Sequence, residues 1–295
     1  MHPTLTPLLA SPPVLTDGAW GTLLQASGLR PGESPDGWNL SNPGAVRAVA
    51  EAYVDAGSAV ILTNTFRANR LALASEGLAD RVGEINAAGV RISLEAAGGR
   101  ARVFASIGPS GRMLLDDQTS QQELTDAFQE QADALAGAGA EALLIETMSD
   151  VAEAELALAA AKRTGLPVVV SLVFDSGRDH DRTMMGTTVE EASERLARAG
   201  ADVVGANCGV GIEPYVGVCS RLARTASLPV WIKPNAGLPQ LSDGALTYTT
   251  SPEEFARQAL RLRDAGASFI GGCCGTTPAF IRAVRSALTA PASGP

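Results

Sequence analysis

A single-domain α/β fold, the (β/α)8 barrel, is what this sequence predicts, and three observations carry the prediction. A short apolar run, a turn rich in Gly, Asn or Thr, and a longer Ala-rich stretch recur eight times along the 295 residues. The runs are continuously apolar rather than alternating, as in parallel strands covered on both faces. Four of the long stretches also end alike, in Asp55-Ala56-Gly57, Gly137-Ala138-Gly139-Ala140, Arg198-Ala199-Gly200-Ala201 and Asp264-Ala265-Gly266-Ala267. Each places a glycine where a helix ends, just before the next strand. Eight such units suit a (β/α)8 barrel in a chain of this length, with a doubly wound open sheet as the alternative. No composition break, Pro/Ser linker or charge run divides residues 1–295.

The first strand is read over residues 13–16, ending in Asp17-Gly18, and a Pro/Gly-rich loop then runs to about Trp38. Asn42-Pro43 opens a helix to Ala56, with Asn42 as its cap and Pro43 in its first turn. The second strand, 59–63, ends in Asn64-Thr65-Phe66; a short helix and then a longer one over 83–97 follow. Residues 103–107 form the third strand, before a helix over 120–138. The fourth spans 142–146, and Asp150 caps a helix to Thr164. The fifth covers 167–173, with a polar loop through His180 and a helix over 188–199. Strands six, seven and eight fall at 202–207, 229–233 and 268–271, each followed by a helix, the last over 278–288. The tail 289–295 is expected to fray.

Composition narrows the function classes. A 45% hydrophobic content supports a large core, and the low aromatic fraction of 4% suits helices on a sheet. A net charge of −9 argues against nucleic-acid binding, which needs clustered Lys and Arg. The start, Met1-His2-Pro3-Thr4, has no positive region followed by an apolar segment, so no signal peptide is expected. No apolar run reaches the length of a bilayer span. Four cysteines do not make a disulfide framework, and free thiols point to a reducing cytoplasm.

In a (β/α)8 barrel the functional groups stand at the C-terminal ends of the strands. This chain puts its unusual residues there. Besides Asp17, these are Thr63, Glu146-Thr147, Asn207-Cys208-Gly209, Lys233-Pro234-Asn235 and Gly271-Gly272-Cys273-Cys274. Strands six and eight flank strand seven, so Cys208, Cys273 and Cys274 are expected to meet. Three thiols without a nearby histidine form a sulfur-rich set that selects Zn²⁺ over Mg²⁺, Ca²⁺ or Mn²⁺. With three protein ligands, the fourth position is left for a substrate thiol, which the metal would ionise near neutral pH.

The pattern Gly205-x-Asn207-Cys208 with Gly271-Gly272-Cys273-Cys274, joined by Asp17-Gly18, Asn64-Thr65-Phe66 and Glu146-Thr147, resembles the homocysteine S-methyltransferase family. The likeness covers residues from about 12 to 288. It implies a (β/α)8 barrel with Cys208, Cys273 and Cys274 as Zn²⁺ ligands and the sulfur of L-homocysteine as the fourth. It further implies that Asp17, Gly18, Thr63 and Glu146 hold the amino-acid end, with Asn207 beside them. A substrate ammonium needs a carboxylate, from Glu146 or Asp17, and the substrate carboxylate would meet backbone N–H groups and hydroxyls near Gly18.

On the donor side, betaine enzymes of this family carry tyrosines where this chain has Arg67 after Phe66 and Thr147 after Glu146. That departure favours S-methylmethionine or a methyl-corrinoid carried by a separate protein, since 295 residues leave no room for a cobalamin or folate domain. The expectation is a zinc-dependent enzyme making L-methionine. The alternative is a homocysteine-binding subunit that turns over only with a corrinoid partner. A covalent Cys208 nucleophile would need a base, and neither histidine lies at a strand end. Cys219, inside the helix after strand six, is expected to pack as a small hydrophobe. Gly271-Gly272 and Gly275 framing a phosphate is the weaker reading of that turn.

Overall fold

A computed structural model of the chain describes residues 1–290 apart from 31, 113, 115–118 and 243–244. Eight parallel strands form one sheet: β1 (Val14–Leu15), β2 (Val60–Leu62), β3 (Arg102–Ile107), β4 (Ala142–Met148), β5 (Val168–Leu172), β6 (Val203–Cys208), β7 (Val230–Pro234) and, last in the chain, Phe269–Ile270. An antiparallel hairpin, β8 (Pro239–Ser242) with β9 (Ala245–Tyr248), precedes that final strand, which is therefore β10. The sheet order is β1-β10-β7-β6-β5-β4-β3-β2. A parallel bridge between Thr16 and Val60 brings the two edge strands together, and the Ala59 N–H donates to the Leu15 carbonyl at 2.8 Å. The result is the (β/α)8 barrel.

The helices surround it. In chain order they are α1 (Gly21–Ala26), α2 (Trp38–Ser41), α3 (Pro43–Ala56), α4 (Arg70–Ala74), α5 (Val82–Ala97), α6 (Gln121–Gly137), α7 (Val151–Lys162), α8 (Val189–Arg198), α9 (Ile212–Thr225), α10 (Pro252–Asp264) and α11 (Pro278–Thr289). Their starts follow local chemistry. Ser120 and Glu123 close a capping box on α6, while Asp150, Thr188 and Ser251 accept from the first turns of α7, α8 and α10. The repeated terminal glycines 57, 139, 200 and 266 all take the left-handed conformation, with φ between 94° and 101°.

Asn42 departs from expectation: it sits at the N-cap of α3, but its side chain makes no capping hydrogen bond. Pro43 fills the first turn there, and its missing N–H removes one of the orphan donors that a cap would serve. The loop expected through Trp38 contains α1, and the hairpin was not foreseen. Of the tail, residues 291–295 lie outside the described residues.

Two apolar layers pack on the sheet. Outward-facing residues such as Leu15, Ile61, Leu143, Val170 and Ile232 meet the helices. Inward-facing ones, including Val14, Phe104, Leu144, Val169, Trp231 and Phe269, fill the barrel. The rings of Phe104, Trp231 and Phe269 lie 5.1–6.4 Å apart and make its aromatic floor.

The floor leaves no spare volume. A Cβ added to Gly205 would stand 2.2 Å from the Trp231 carbonyl oxygen and 2.7 Å from its Cβ. Gly205→Ala should therefore destabilise the barrel by about 1–3 kcal/mol in urea titrations. The control, Gly217→Ala, lies within α9 where nothing is within 4 Å, and should stabilise by up to about 1 kcal/mol.

Candidate functional site

Strand periodicity places the site. Two residues along from the inward positions of the floor, on the same side of the pleat, stand Ser106 (from Phe104), Glu146 (from Leu144), Ser171 (from Val169) and Lys233 (from Trp231); Asn207 follows Gly205 on β6. Apolar residues thus fill the lower barrel, and buried polar ones crown it at the C-terminal ends of the strands. Above them a cavity of about 270 Å³ opens, lined by Gly18, Thr63, Glu146, Lys233 and the three cysteines.

Cys208 ends β6, while Cys273 and Cys274 follow β10. The loops after β6, β7 and β10 tie these ends together. The Asn235 N–H donates to the Cys208 carbonyl (3.1 Å), the Ala236 N–H to that of Cys274 (3.0 Å), and the Cys273 N–H to that of Pro234 (2.8 Å). Cys208 takes φ of 66°, which is unusual for a non-glycine residue and turns its thiol toward the others. The three Sγ atoms lie within 4.8 Å of one another. Asn235 Nδ2 approaches the Cys208 sulfur at 3.5 Å, and Asn207 Nδ2 lies 4.0 Å from that of Cys273.

Crowding divides the protons unequally. Hydrogen bonds from the Cys273 and Cys274 thiols hold the Cys208 thiol far below its ordinary value, at about 3. The same contacts, with burial, push Cys273 well up and Cys274 up to about 12. Three sulfurs gathered around one negative charge, with the other two still protonated, are a donor set that a soft cation fits by displacing those protons. The fourth cysteine is elsewhere: Cys219 is buried in α9, donates toward the Leu262 carbonyl at 3.6 Å, and is pushed up to about 12 by burial.

Glu146 is buried beside the thiols, and its Oε1 accepts from Ser106 Oγ at 2.5 Å. Burial raises its pKa, against an opposing pull from Lys233. Its aim depends on the next residue. Thr147 has φ of 63°, a strained conformation for a β-branched side chain, where the β4–β5 register shifts. Asn207 clamps it: Oδ1 accepts from the Thr147 N–H (2.9 Å), and Nδ2 donates to Thr147 Oγ1 (2.7 Å). Ser171 Oγ also donates to Asn207 Oδ1, at 2.7 Å.

The family model described as homocysteine S-methyltransferase matches residues 14–288. The chain belongs to the homocysteine S-methyltransferase family. It is 30% identical over 304 residues to methionine synthase of Mycobacterium tuberculosis and 29% identical over 300 residues to that of Mycobacterium leprae, with 96% and 95% of this chain aligned. It spans about a quarter of the length of those relatives. Among solved structures, the homocysteine methyltransferase MmuM of Escherichia coli in its oxidised form has 25% identity and a TM-score of 0.81 over 97% of this chain and 99% of that one. Its metallated form has 26% identity and a TM-score of 0.80 over 96% and 99%.

Against the residues expected for this family's site, the structure brings Gly18, Thr63, Glu146 and the three cysteines to one cavity. Gly18 has a packing reason to be glycine, since a Cβ there would stand 2.8 Å from Tyr53 Oη and Thr276 Oγ1. Asp17 is fully buried and does not line the cavity. Its carboxylate pairs with the Lys233 ammonium through Oδ1, and its Oδ2 accepts from Trp20 Nε1 and the Leu62 N–H, both at 2.7 Å. Asn207 likewise spends its amide on Thr147 and Ser171 rather than facing the cavity. His180 lies in an exposed loop, bonded to the Asp175 carbonyl.

Two contributors are not marked by the strand-end residues of the sequence, Ser106, whose inward position is legible from period two, and Tyr248 of the hairpin; Lys233 is marked there, but without a role. The Tyr248 ring lies over Gly275, where a Cβ would be 2.2 Å from it. The signal for that hairpin was Asp243-Gly244 between two short strand-like runs.

Proposed function

We propose that this chain is a zinc-dependent methyltransferase that moves a methyl group to the sulfur of L-homocysteine and releases L-methionine. The observation that carries the reading is the meeting of three thiols and a buried carboxylate in one cavity. Cys208, Cys273 and Cys274 would hold Zn²⁺, whose charge, when bound, lowers the pKa of a substrate thiol so that it is nucleophilic at neutral pH. Glu146 receives the substrate ammonium, with Ser106 and the Asn207–Thr147 clamp fixing its direction. Asn235 and Asn207 steady the cysteine sulfurs from outside. The apolar floor below and the ring of Tyr248 beside Gly275 limit water around the reacting sulfur.

Transfer is an in-line displacement. The substrate sulfur forms the bond to the methyl carbon, and the leaving group departs with the electron pair of the bond that breaks. Trp20 and Phe66 line the same cavity, so a sulfonium donor such as S-methylmethionine would meet aromatic faces. Arg67 and Thr147, in place of tyrosines, speak against betaine. Free thiols suit a reducing cytoplasm, and residues 1–295 are proposed to act as one domain.

A second reading draws on the relatives' greater length: the chain would be the homocysteine-binding component of a corrinoid methyl-transfer system. Purified protein loaded with zinc and homocysteine should yield methionine, by mass spectrometry, when S-methylmethionine is added. Turnover only with an added methyl-corrinoid protein would select the second reading. No methionine from any donor, betaine included, would reject both.

A further inference from the structure

A second cavity lies beside the first, and no step of the proposed chemistry uses it. Its volume is about 220 Å³, and it forms where the loops after β3, β4 and β5 meet at the C-terminal face of the barrel. The loop after β4 contributes to both chambers: Thr147 lines the first, Ser149 and Asp150 the second. Two carboxylates, Asp150 and Glu153, stand on the α7 side, and Pro109, Met184 and Met185 give the cavity an apolar wall.

Each carboxylate has one oxygen committed and one not. Asp150 Oδ1 accepts from the Ala152 N–H at 2.8 Å and so caps α7. Glu153 Oε1 accepts from the Ser110 N–H at 2.8 Å and from Ser110 Oγ at 2.6 Å. Among the described residues, Asp150 Oδ2 and Glu153 Oε2 have no hydrogen-bond partner, and neither residue is in an ion pair. Glu153 is 6% exposed and lines the cavity. Burial raises its pKa, the hydrogen bonds from Ser110 oppose the rise, and the charge of Asp150 adds to it. The dipole of α7 and the Ser110 donors account for one oxygen of each group. They leave two acceptors of like charge on one cavity, which a cationic donor would satisfy.

The apolar wall is held in place. Thr183, fully buried, closes the turn that carries it: its N–H donates to the Thr187 carbonyl at 3.0 Å, and its carbonyl accepts from the Gly186 N–H at 2.8 Å. That turn leaves Met184 61% and Met185 38% exposed, side by side. Methionine side chains are flexible and polarisable, and they suit an aliphatic chain. At about 220 Å³ the cavity falls below the usual range of ligand pockets, roughly 300–1,000 Å³, so its occupant is small.

We propose that this cavity is a binding site for a small primary alkylammonium ion. Glu153 and Asp150 accept from its ammonium, and Met184, Met185 and Pro109 cover its aliphatic chain. The site is independent of the homocysteine reading and shares no lining residue with the first cavity. Arg112 also lines it, exposed, and presents a like charge to such a ligand.

The test labels the methionine methyl groups of the full chain with ¹³C and follows them by NMR, with Met184→Leu and Met185→Leu to assign the signals. Mildly alkaline pH keeps both carboxylates ionised and an alkylamine protonated. n-Butylammonium should shift the Met184 and Met185 signals saturably and leave that of Met148, buried in β4, unmoved. n-Butanol, of equal chain length without the charge, should bind at least about 10-fold more weakly. Glu153→Gln keeps an acceptor for Ser110 but withdraws the charge, and should weaken n-butylammonium binding about 10-fold. Asp150→Asn, which retains a capping oxygen for α7, should weaken it several-fold. Arg112→Ala should strengthen binding or leave it unchanged. Nα-acetyl-L-lysinamide, which stands for a lysine presented by another protein, should bind more weakly than n-butylammonium because its amide end exceeds the cavity. The reverse order would overturn the assignment to a small molecule. No saturable shift at tens of millimolar would overturn the proposal altogether. So would equal binding of n-butanol, unchanged affinity in a folded Glu153→Gln, or weaker affinity in Arg112→Ala.

Discussion

Cys208→Ser, Cys273→Ser and Cys274→Ser should each lower bound zinc from about one per chain to a small fraction of that, and abolish methionine formation. The loss should exceed the roughly 10–100-fold that removal of an outer hydrogen-bond partner costs, because a hydroxyl replaces a thiolate in the donor set itself. The geometry makes the three equivalent in this respect, since their sulfurs form one mutual cluster. Cys219→Ser is the matched control. Its thiol is directed at the Leu262 carbonyl from within α9, so metal content should be unchanged. Metal analysis by mass spectrometry, paired with the methionine assay, decides the matter. Full metal content in all three cluster variants would end the zinc assignment.

Glu146→Gln should reduce kcat/KM for homocysteine by roughly 30- to 700-fold, equivalent to about 2–4 kcal/mol, while zinc content stays at the wild-type level. Glutamine keeps the shape and the hydrogen bond from Ser106 Oγ but withdraws the charge that balances the substrate ammonium. The pH profile adds a sign. Burial raises the Glu146 pKa, so its charge, and with it the hold on the ammonium, is lost on acidification at a higher pH than for an exposed glutamate. That acid limb should be present in the wild type and absent from Glu146→Gln. A variant with wild-type kcat/KM would show that the ammonium is held elsewhere.

Much of the fold was legible because it rests on local rules. Continuous apolar runs mark strands buried on both faces, and glycines 57, 139, 200 and 266 mark helix ends wherever a left-handed residue must stand. Pairing follows from handed, parallel connections, so β6 and β10 had to flank β7. The parts that escaped notice are short. Helix α1 has six residues, and the hairpin strands have four each, too few for periodicity to register.

The meeting of the three thiols was legible for the same topological reason: side chains at the ends of β6 and β10 must converge on one mouth. Roles within the polar cluster were not. Asp17 and Glu146 are both carboxylates near strand ends, and sequence alone treats them as rivals for one ammonium. Only the folded barrel shows that Asp17 is occupied by Lys233, Trp20 and the Leu62 N–H, which leaves Glu146 facing the cavity. The resemblance sets Asn207 beside the substrate residues, and the fold shows its amide bonded to Thr147 and Ser171.

By itself the sequence determined the barrel, its order of strands and the three sulfurs at its mouth, since these depend on chain-local pattern and fixed connectivity. The tertiary structure alone decided which charges remain available to a ligand. Hydrogen bonds between residues tens to hundreds of positions apart consume some polar groups and spare others, and no local signal records that allocation.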